Sequence, residues 1–206
     1  IYTHAELGYK EYRTAEKFAS FMKNLGLETK EGLAVTGVKA YLNEEEKTNV
    51  SLALIGELDA LRIPEHKYSN PETQGAHCCG HHAQMAGIFG AALALTVPEI
   101  AEKLDGQVVF FATPAEEYGE IGFKNELRAQ GKIKYGGGKC ELLRIGAFDD
   151  IDLCIFINNC SVFGKNGNST FTFDIVGIHY SFGHFLIFTE NTAPVSYTHL
   201  RAHETG

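Results

Sequence analysis

Three short apolar runs constrain this chain most: SLALIG at residues 51–56, VVFFAT at 108–113 and DLCIFI at 152–157. Each is apolar on both faces, the pattern of a strand buried in the middle of a sheet. Helical patterns fall between and before them. HAQMAGIFGAALALT is a helix rich in small residues, EIAEKL continues it, and KNELRAQGK follows the second run. Near the start, AELGYKEYRTAEKFASFMKNLGL carries Phe18, Phe21, Met22 and Leu25 on one helical stripe, closed by Gly26. TGVKAYL reads as a further strand, and STFTFDIVG alternates as the next. YGGGK, beside KNELRAQGK, reads as a flexible loop. Strands alternating with helices predict an α/β fold, a three-layer sandwich around a mostly parallel central sheet.

Every one of the three runs stops at a polar cluster: ELDAL after the first, PAEE after the second, NNC after the third. A fourth cluster, HCCGHH, opens the small-residue helix. In parallel sheets, sites gather beyond the carboxyl ends of the strands. The four clusters are therefore expected to converge.

Composition excludes some function classes. The net charge of −8 lacks the basic face that nucleic acid requires. No apolar run reaches the roughly 18 residues of a membrane helix. Five cysteines are an odd number with two adjacent, which suggests no disulfide framework and points to the reducing cytoplasm. The chain opens on Ile1 rather than Met and reads as a fragment. Its ending, PVSYTHLRAHETG, resembles a translated adapter read-through, so residues 195–206 are set aside as a non-native tail.

The clusters suggest metal chemistry. Cys79 and His81 flank Gly80, so a tight turn would aim both at one point. Thiolate with imidazole suits Zn²⁺; imidazole also suits Mn²⁺, Co²⁺ or Ni²⁺. Of the adjacent Glu116 and Glu117, one can ligate while the other stays free as a general base. Asp59 would orient a ligand imidazole from behind. The bland alternative makes the Glu pair a solvated helix face, the cysteines small buried hydrophobes, and His77 and His82 hydrogen-bonded structural residues. A cysteine amidase using Cys78 or Cys79 with His81 or His82 is a third alternative, disfavoured because a tight turn rarely lets thiol and imidazole face each other.

In this order the motifs resemble the M20 metallopeptidase family. HAELGYKEYRTA is similar to H-x-x-P-E-L-G-x-x-E-x-x-T, with Ala5 at the usual Pro. GELDALRIPE resembles D-x-D-A-L-P-x-x-E, and ATPAEE resembles Q-P-A-E-E. GAHCCGHHAQMAG resembles H-x-C-G-H-D-x-H-x-A, with His82 at the usual Asp and Gln84 at the usual second His. The subgroup resembled is the amidohydrolases: aminoacylases, hippurate and indole-acetyl-amino-acid hydrolases, and aminobenzoyl-glutamate hydrolase.

This resemblance implies a catalytic domain holding two divalent metals, Zn or Mn, with Co or Ni also tolerated. Cys79, His81 and Glu117 would be metal ligands. Glu116 and Asp59 would be the catalytic pair, Glu116 as general base and Asp59 as the orienting group. The substrate would be a small N-acyl or aminobenzoyl amino acid or a dipeptide, with no nucleic acid or membrane partner. The parent protein would be a homodimer through a lid domain. Residues 1–177 would be the N-terminal part of the catalytic domain, truncated before that lid, and 178–194 a doubtful or frame-shifted stretch. Asn158 stands where the family has a further ligand His after the strand. That departure motivates a second reading, a catalytically inactive metal-binding remnant.

Overall fold

The computed structural model describes residues 1–43, 50–163, 169–181 and 184–189, with side chains described up to Phe156. After a 3-10 turn at Tyr2–His4, the chain runs through α1 (Tyr12–Asn24), β1 (Glu28–Leu33), β2 (Gly37–Leu42) and β3 (Ser51–Glu57). Two-residue strands β4 (Leu61–Arg62) and β5 (Gly75–Ala76) pair with each other and lead into α2 (His81–Leu95). Then come α3 (Pro98–Ala101), β6 (Gln107–Thr113), α4 (Ile121–Ala129), α5 (Gly138–Arg144), β7 (Leu153–Phe163), β8 (Ser169–Ser181) and β9 (His184–Thr189).

Seven strands form one sheet in the order β1-β2-β6-β3-β7-β8-β9. Its centre, β6-β3-β7, is parallel; the flanking pairings on both sides are antiparallel. The sheet is therefore mixed, and the expected parallel character is confined to the three strands that the apolar runs supply. β6 is buried at all seven positions, which a central strand covered on both faces requires.

Alternation along these strands divides the core in two. On one face Phe18 and Met22 of α1, and Met85, Ile88 and Ala92 of α2, pack on Val38, Ala40, Phe110 and Ala112. On the other, Leu127 of α4 and Leu142 of α5 pack with Ile133 on Ile55, Val109 and Phe111. Helix, sheet and helix give the three layers.

Four elements differ from the sequence reading. β1 has the exposed sequence ETKEGL and pairs only at the sheet edge, so it lacks the apolar pattern of a buried strand. EIAEKL supplies one short turn of helix after Pro98 rather than a continuing helix. The GGGK stretch opens α5, because a Cβ on Gly138 would lie 1.7 Å from the Pro114 carbonyl oxygen. Only glycine lets α5 start this close to the end of β6. Strand β8 also runs past Gly177 to Ser181, pairing with β7 and β9. Asn158 lies on β7 opposite Asp174, but its side chain falls outside the described residues, as does all of 190–206.

Candidate metal centre

The site grows from the carboxyl ends of β3 and β6, which run side by side with Glu57 opposite Thr113. Beyond β3 the chain continues through Leu58 to Asp59, fully buried. Beyond β6 it turns at Ala115, whose φ of +46° is left-handed, and this turn presents Glu116 and Glu117. A non-glycine residue in that region costs on the order of 1 kcal/mol or more and persists only when its surroundings hold it. Two hydrogen bonds do so here. The Ala115 N–H donates to Glu11 Oε1 at 2.8 Å, and the Gly138 N–H donates to the Ala115 carbonyl at 2.9 Å.

The E-L-G-x-x-E-x-x-T stretch at the start of the chain thus has a physical role in shaping the centre. Glu6 caps α1, accepting from the Arg13 and Thr14 N–H groups and the Thr14 hydroxyl. Glu11, wholly buried, braces the Glu116–Glu117 turn and also accepts from the Thr36 hydroxyl at 2.6 Å. Burial, then the Asp59 charge, pushes the Glu11 carboxyl up to about 8. Between pH about 4 and 8 the folded chain therefore holds a proton that the unfolded chain has released. By linkage, stability falls as pH rises through that window. Glu11→Gln keeps the acceptor for Ala115 and removes the titration. We expect urea denaturation of this variant to lose a pH dependence worth a few kcal/mol in the wild type. An unchanged slope would mean that Glu11 is ionised in the fold.

HCCGHH approaches from the other side. Gly80 has a φ of +93° and forms the N-cap of α2, the turn expected between Cys79 and His81. Its left-handed backbone lets exposed Cys79 and buried His81 face the same carboxylates. His81 Nδ1 lies 2.8 Å from the Asp59 carbonyl oxygen. A carbonyl only accepts, so Nδ1 carries the hydrogen and Nε2 is the nitrogen turned into the cluster. Nε2 stands 2.8 Å from Glu57 Oε2, 3.8 Å from Glu116 Oε2 and 3.9 Å from Glu117 Oε1. The Asp59 carboxylate accepts from the Glu117 N–H at 2.9 Å. Lys124, buried under the loop, donates to the Glu117 carbonyl at 2.7 Å.

All five residues singled out from the sequence, Asp59, Cys79, His81, Glu116 and Glu117, thus stand in one cluster. Ligand atoms of Cys79, His81 and Glu117 lie within 4.8 Å of one another, and so do those of Glu57, His81 and Glu116. Atoms sharing one tetrahedral cation stand about 3.3–3.8 Å apart, so a contraction of about 1 Å closes either set on an ion. Glu57 and Lys139 were not singled out. Lys139 pairs with Glu57 Oε1, and the two are 82 residues apart in sequence. The available signal was positional: Glu57 occupies the first acidic position of the ELDAL motif.

The charges favour a cation. Glu57, Asp59, Glu116 and Glu117 face one imidazole and two ammonium groups, those of Lys139 and Lys124. Asp59 Oδ1 and Glu117 Oε1 are buried without a hydrogen-bond partner; the His81 ring reaches them only at 3.4 and 3.9 Å, so a closer cation would satisfy both oxygens better. Burial opposes protonation of His81, but hydrogen bonds to Asp59, Cys79 and Glu57 outweigh it and raise its pKa. Burial also opposes ionisation of Glu57, yet the Lys139 ammonium and His81 hold its carboxyl far below the usual range. At Glu116, burial and then the Glu57 charge raise the carboxyl, which makes it a better proton acceptor than an ordinary carboxylate.

The neighbouring histidines differ from the structural reading. Both ring nitrogens of buried His77 lack a hydrogen-bond partner, as does Nδ1 of His82. Burial, with His82 and His81 nearby, depresses His77 to about 4. The two rings are tilted by 52° to each other with centroids 5.6 Å apart. No cysteine of the described residues forms a disulfide, and Cys79 hydrogen-bonds His81 directly while both stand within 4.8 Å of Glu117.

Fold and site together define an α/β protein with a thiol, an imidazole and several carboxylates gathered at the ends of parallel strands. The sequence matches the family described as Peptidase family M20/M25/M40 over residues 53–179. The chain belongs to that family.

IAA-amino acid hydrolase ILR1-like 5 of Arabidopsis thaliana is 36% identical over 58% of this chain and 27% of its own length. Thermostable carboxypeptidase 1 of Saccharolobus solfataricus is 29% identical over 59% of this chain and 31% of its own. The chain therefore spans under a third of the length of these relatives. Among solved structures it resembles the Bacillus subtilis YXEP protein, described as a dinuclear metal binding peptidase (TM-score 0.59, 24% identity, 77% of this chain and 40% of that one). It also resembles an aminobenzoyl-glutamate utilization protein from Klebsiella pneumoniae (TM-score 0.54, 20% identity, 77% and 41%). These two likenesses concern the fold. Among the described residues no helix is long and apolar enough to cross a membrane.

Proposed function

We propose that this chain carries the metal-holding part of an amidohydrolase. Its substrates are N-acyl or aminobenzoyl amino acids or small dipeptides, and its reaction is hydrolysis of their amide bond. The observation that carries this reading is the clustering of Cys79, His81 and Glu117 ligand atoms within 4.8 Å, with Glu116 beside them. Cys79, His81 Nε2 and Glu117 Oε1 would hold divalent metal. Thiolate with imidazole favours Zn²⁺, while the carboxylates also accept Mn²⁺, Co²⁺ or Ni²⁺. The bound metals would polarise the scissile carbonyl and make water acidic enough to deprotonate near neutral pH.

The remaining work falls to this chain's own groups. Glu116 Oε2, on a carboxyl already raised by burial, takes the proton of the attacking water and hands it to the leaving amine. The Asp59 carbonyl fixes His81, and the Asp59 carboxylate fixes the Glu117 backbone, so both ligands arrive pre-oriented. In the full-length protein a lid domain would close over the substrate and join two copies. The four described cysteines, all free, suit the cytoplasm.

Asn158, where the family pattern places a ligand His, favours the alternative of an inactive metal-binding remnant. An assay separates the two. The purified chain is expected to hydrolyse an N-acyl amino acid, to stop on EDTA treatment, and to resume on adding Zn²⁺ or Mn²⁺. Metal uptake without turnover would establish the remnant instead.

A further inference from the structure

We propose that Glu57 is itself a metal ligand in this chain, sharing a divalent cation with His81. This inference rests on the metal-centre reading above and adds a ligand to it.

The first observation is spacing. Glu57 Oε2 stands 2.8 Å from His81 Nε2, the nitrogen turned into the cluster by the bond of Nδ1 to the Asp59 carbonyl. Two atoms about 2.1 Å from one octahedral cation, at a right angle to each other, stand about 3 Å apart, and in a tetrahedral site about 3.4 Å. The pair stands at hydrogen-bond distance and need open by only about 0.2–0.6 Å for a cation to replace the proton between them; among the described residues no other carboxylate oxygen lies closer to that nitrogen. Glu116 brings its own oxygen to within 4.8 Å of both.

The second is support. A carboxylate that binds a cation through one oxygen needs the other oxygen and its backbone held. Lys139, from the start of α5, pairs with Glu57 Oε1. Gln84, one turn into α2, accepts from the Glu57 N–H and donates to Glu57 Oε2, both at 3.1 Å. Three elements, β3, α2 and α5, thus fix one side chain at the edge of the cluster.

The third is the pair of departures from the family pattern. Glu57 stands where the D-x-D-A-L pattern has Asp, and Gln84 where the second His of the HCCGHH motif is usual. The two departures touch each other. The extra methylene of Glu57 is what brings its carboxylate to His81. A chain with Asn158 at a usual ligand position thereby gains an anionic oxygen next to an imidazole that it retains.

The test is a metal titration of the purified chain, stripped with EDTA and dialysed. Co²⁺ and Zn²⁺ binding are measured by calorimetry, with Co²⁺ absorption spectra recorded in parallel. The variants are Glu57→Gln, which keeps the size and loses the charge, and Glu57→Asp, which keeps the charge and loses the reach. Circular dichroism confirms that each is folded. Both variants are expected to bind one equivalent at least 10-fold more weakly while keeping the thiolate-to-cobalt band of Cys79. Wild-type binding with unchanged affinity in both variants would overturn the role of Glu57 and leave the Cys79–His81–Glu117 centre standing. Tighter binding in Glu57→Gln would also overturn it, showing that Glu57 blocks His81. No binding by the wild type would defeat the metal-centre reading itself, and this inference with it.

Discussion

Glu116→Gln is expected to slow hydrolysis of an N-acyl amino acid about 10²–10⁴-fold while leaving the metal content unchanged. The amide keeps the size of the side chain but cannot accept the proton of water. The Glu116 carboxyl is raised, by burial first and by Glu57 next. Glu117 is oriented through its backbone by Asp59 and has a buried oxygen without a partner. The two adjacent residues therefore have separable roles, and Glu117→Gln should lose metal where Glu116→Gln does not. Equal metal loss in both variants would make Glu116 a ligand rather than the base. The assay is a single-substrate rate measurement paired with elemental analysis.

Asp59→Ala is the second change with a large expected effect, a 10–100-fold loss of metal affinity. The side chain is wholly buried, and it accepts the Glu117 N–H. Its removal leaves that donor unpaired and frees the residue whose carbonyl steers His81. The same variant removes the negative charge that helps raise Glu11, so the fall in stability with rising pH should also become shallower. Metal affinity by calorimetry and denaturation at several pH values report the two effects independently. Unchanged affinity would mean that the backbone alone orients the ligands.

Much of this was legible in the chain. The apolar runs that became β3, β6 and β7 end where the clusters begin, so a sheet with parallel neighbours had to bring ELDAL and PAEE together. Gly80 between Cys79 and His81 gave the turn. Other parts were hidden for physical reasons. β1 is an edge strand whose exposed residues carry no apolar alternation. α5 begins in consecutive glycines, which read as a loop, because its start must fit against the Pro114 carbonyl. Glu57 was not singled out, since its partners come from distant segments: Gln84 is 27 residues away and Lys139 is 82. Glu11 was visible only as part of a motif. Its bond to Ala115 spans 104 residues, and no local pattern signals such a brace. Periodicity reports which face of an element is buried; it is silent on which buried charges meet.

The most direct test of the central claim is the metal content of the chain and of Cys79→Ala, measured by mass spectrometry after exhaustive dialysis. The account predicts bound divalent metal in the wild type and its loss, in part or whole, in the variant. Absence of metal in the wild type, or equal metal in both proteins, would contradict it.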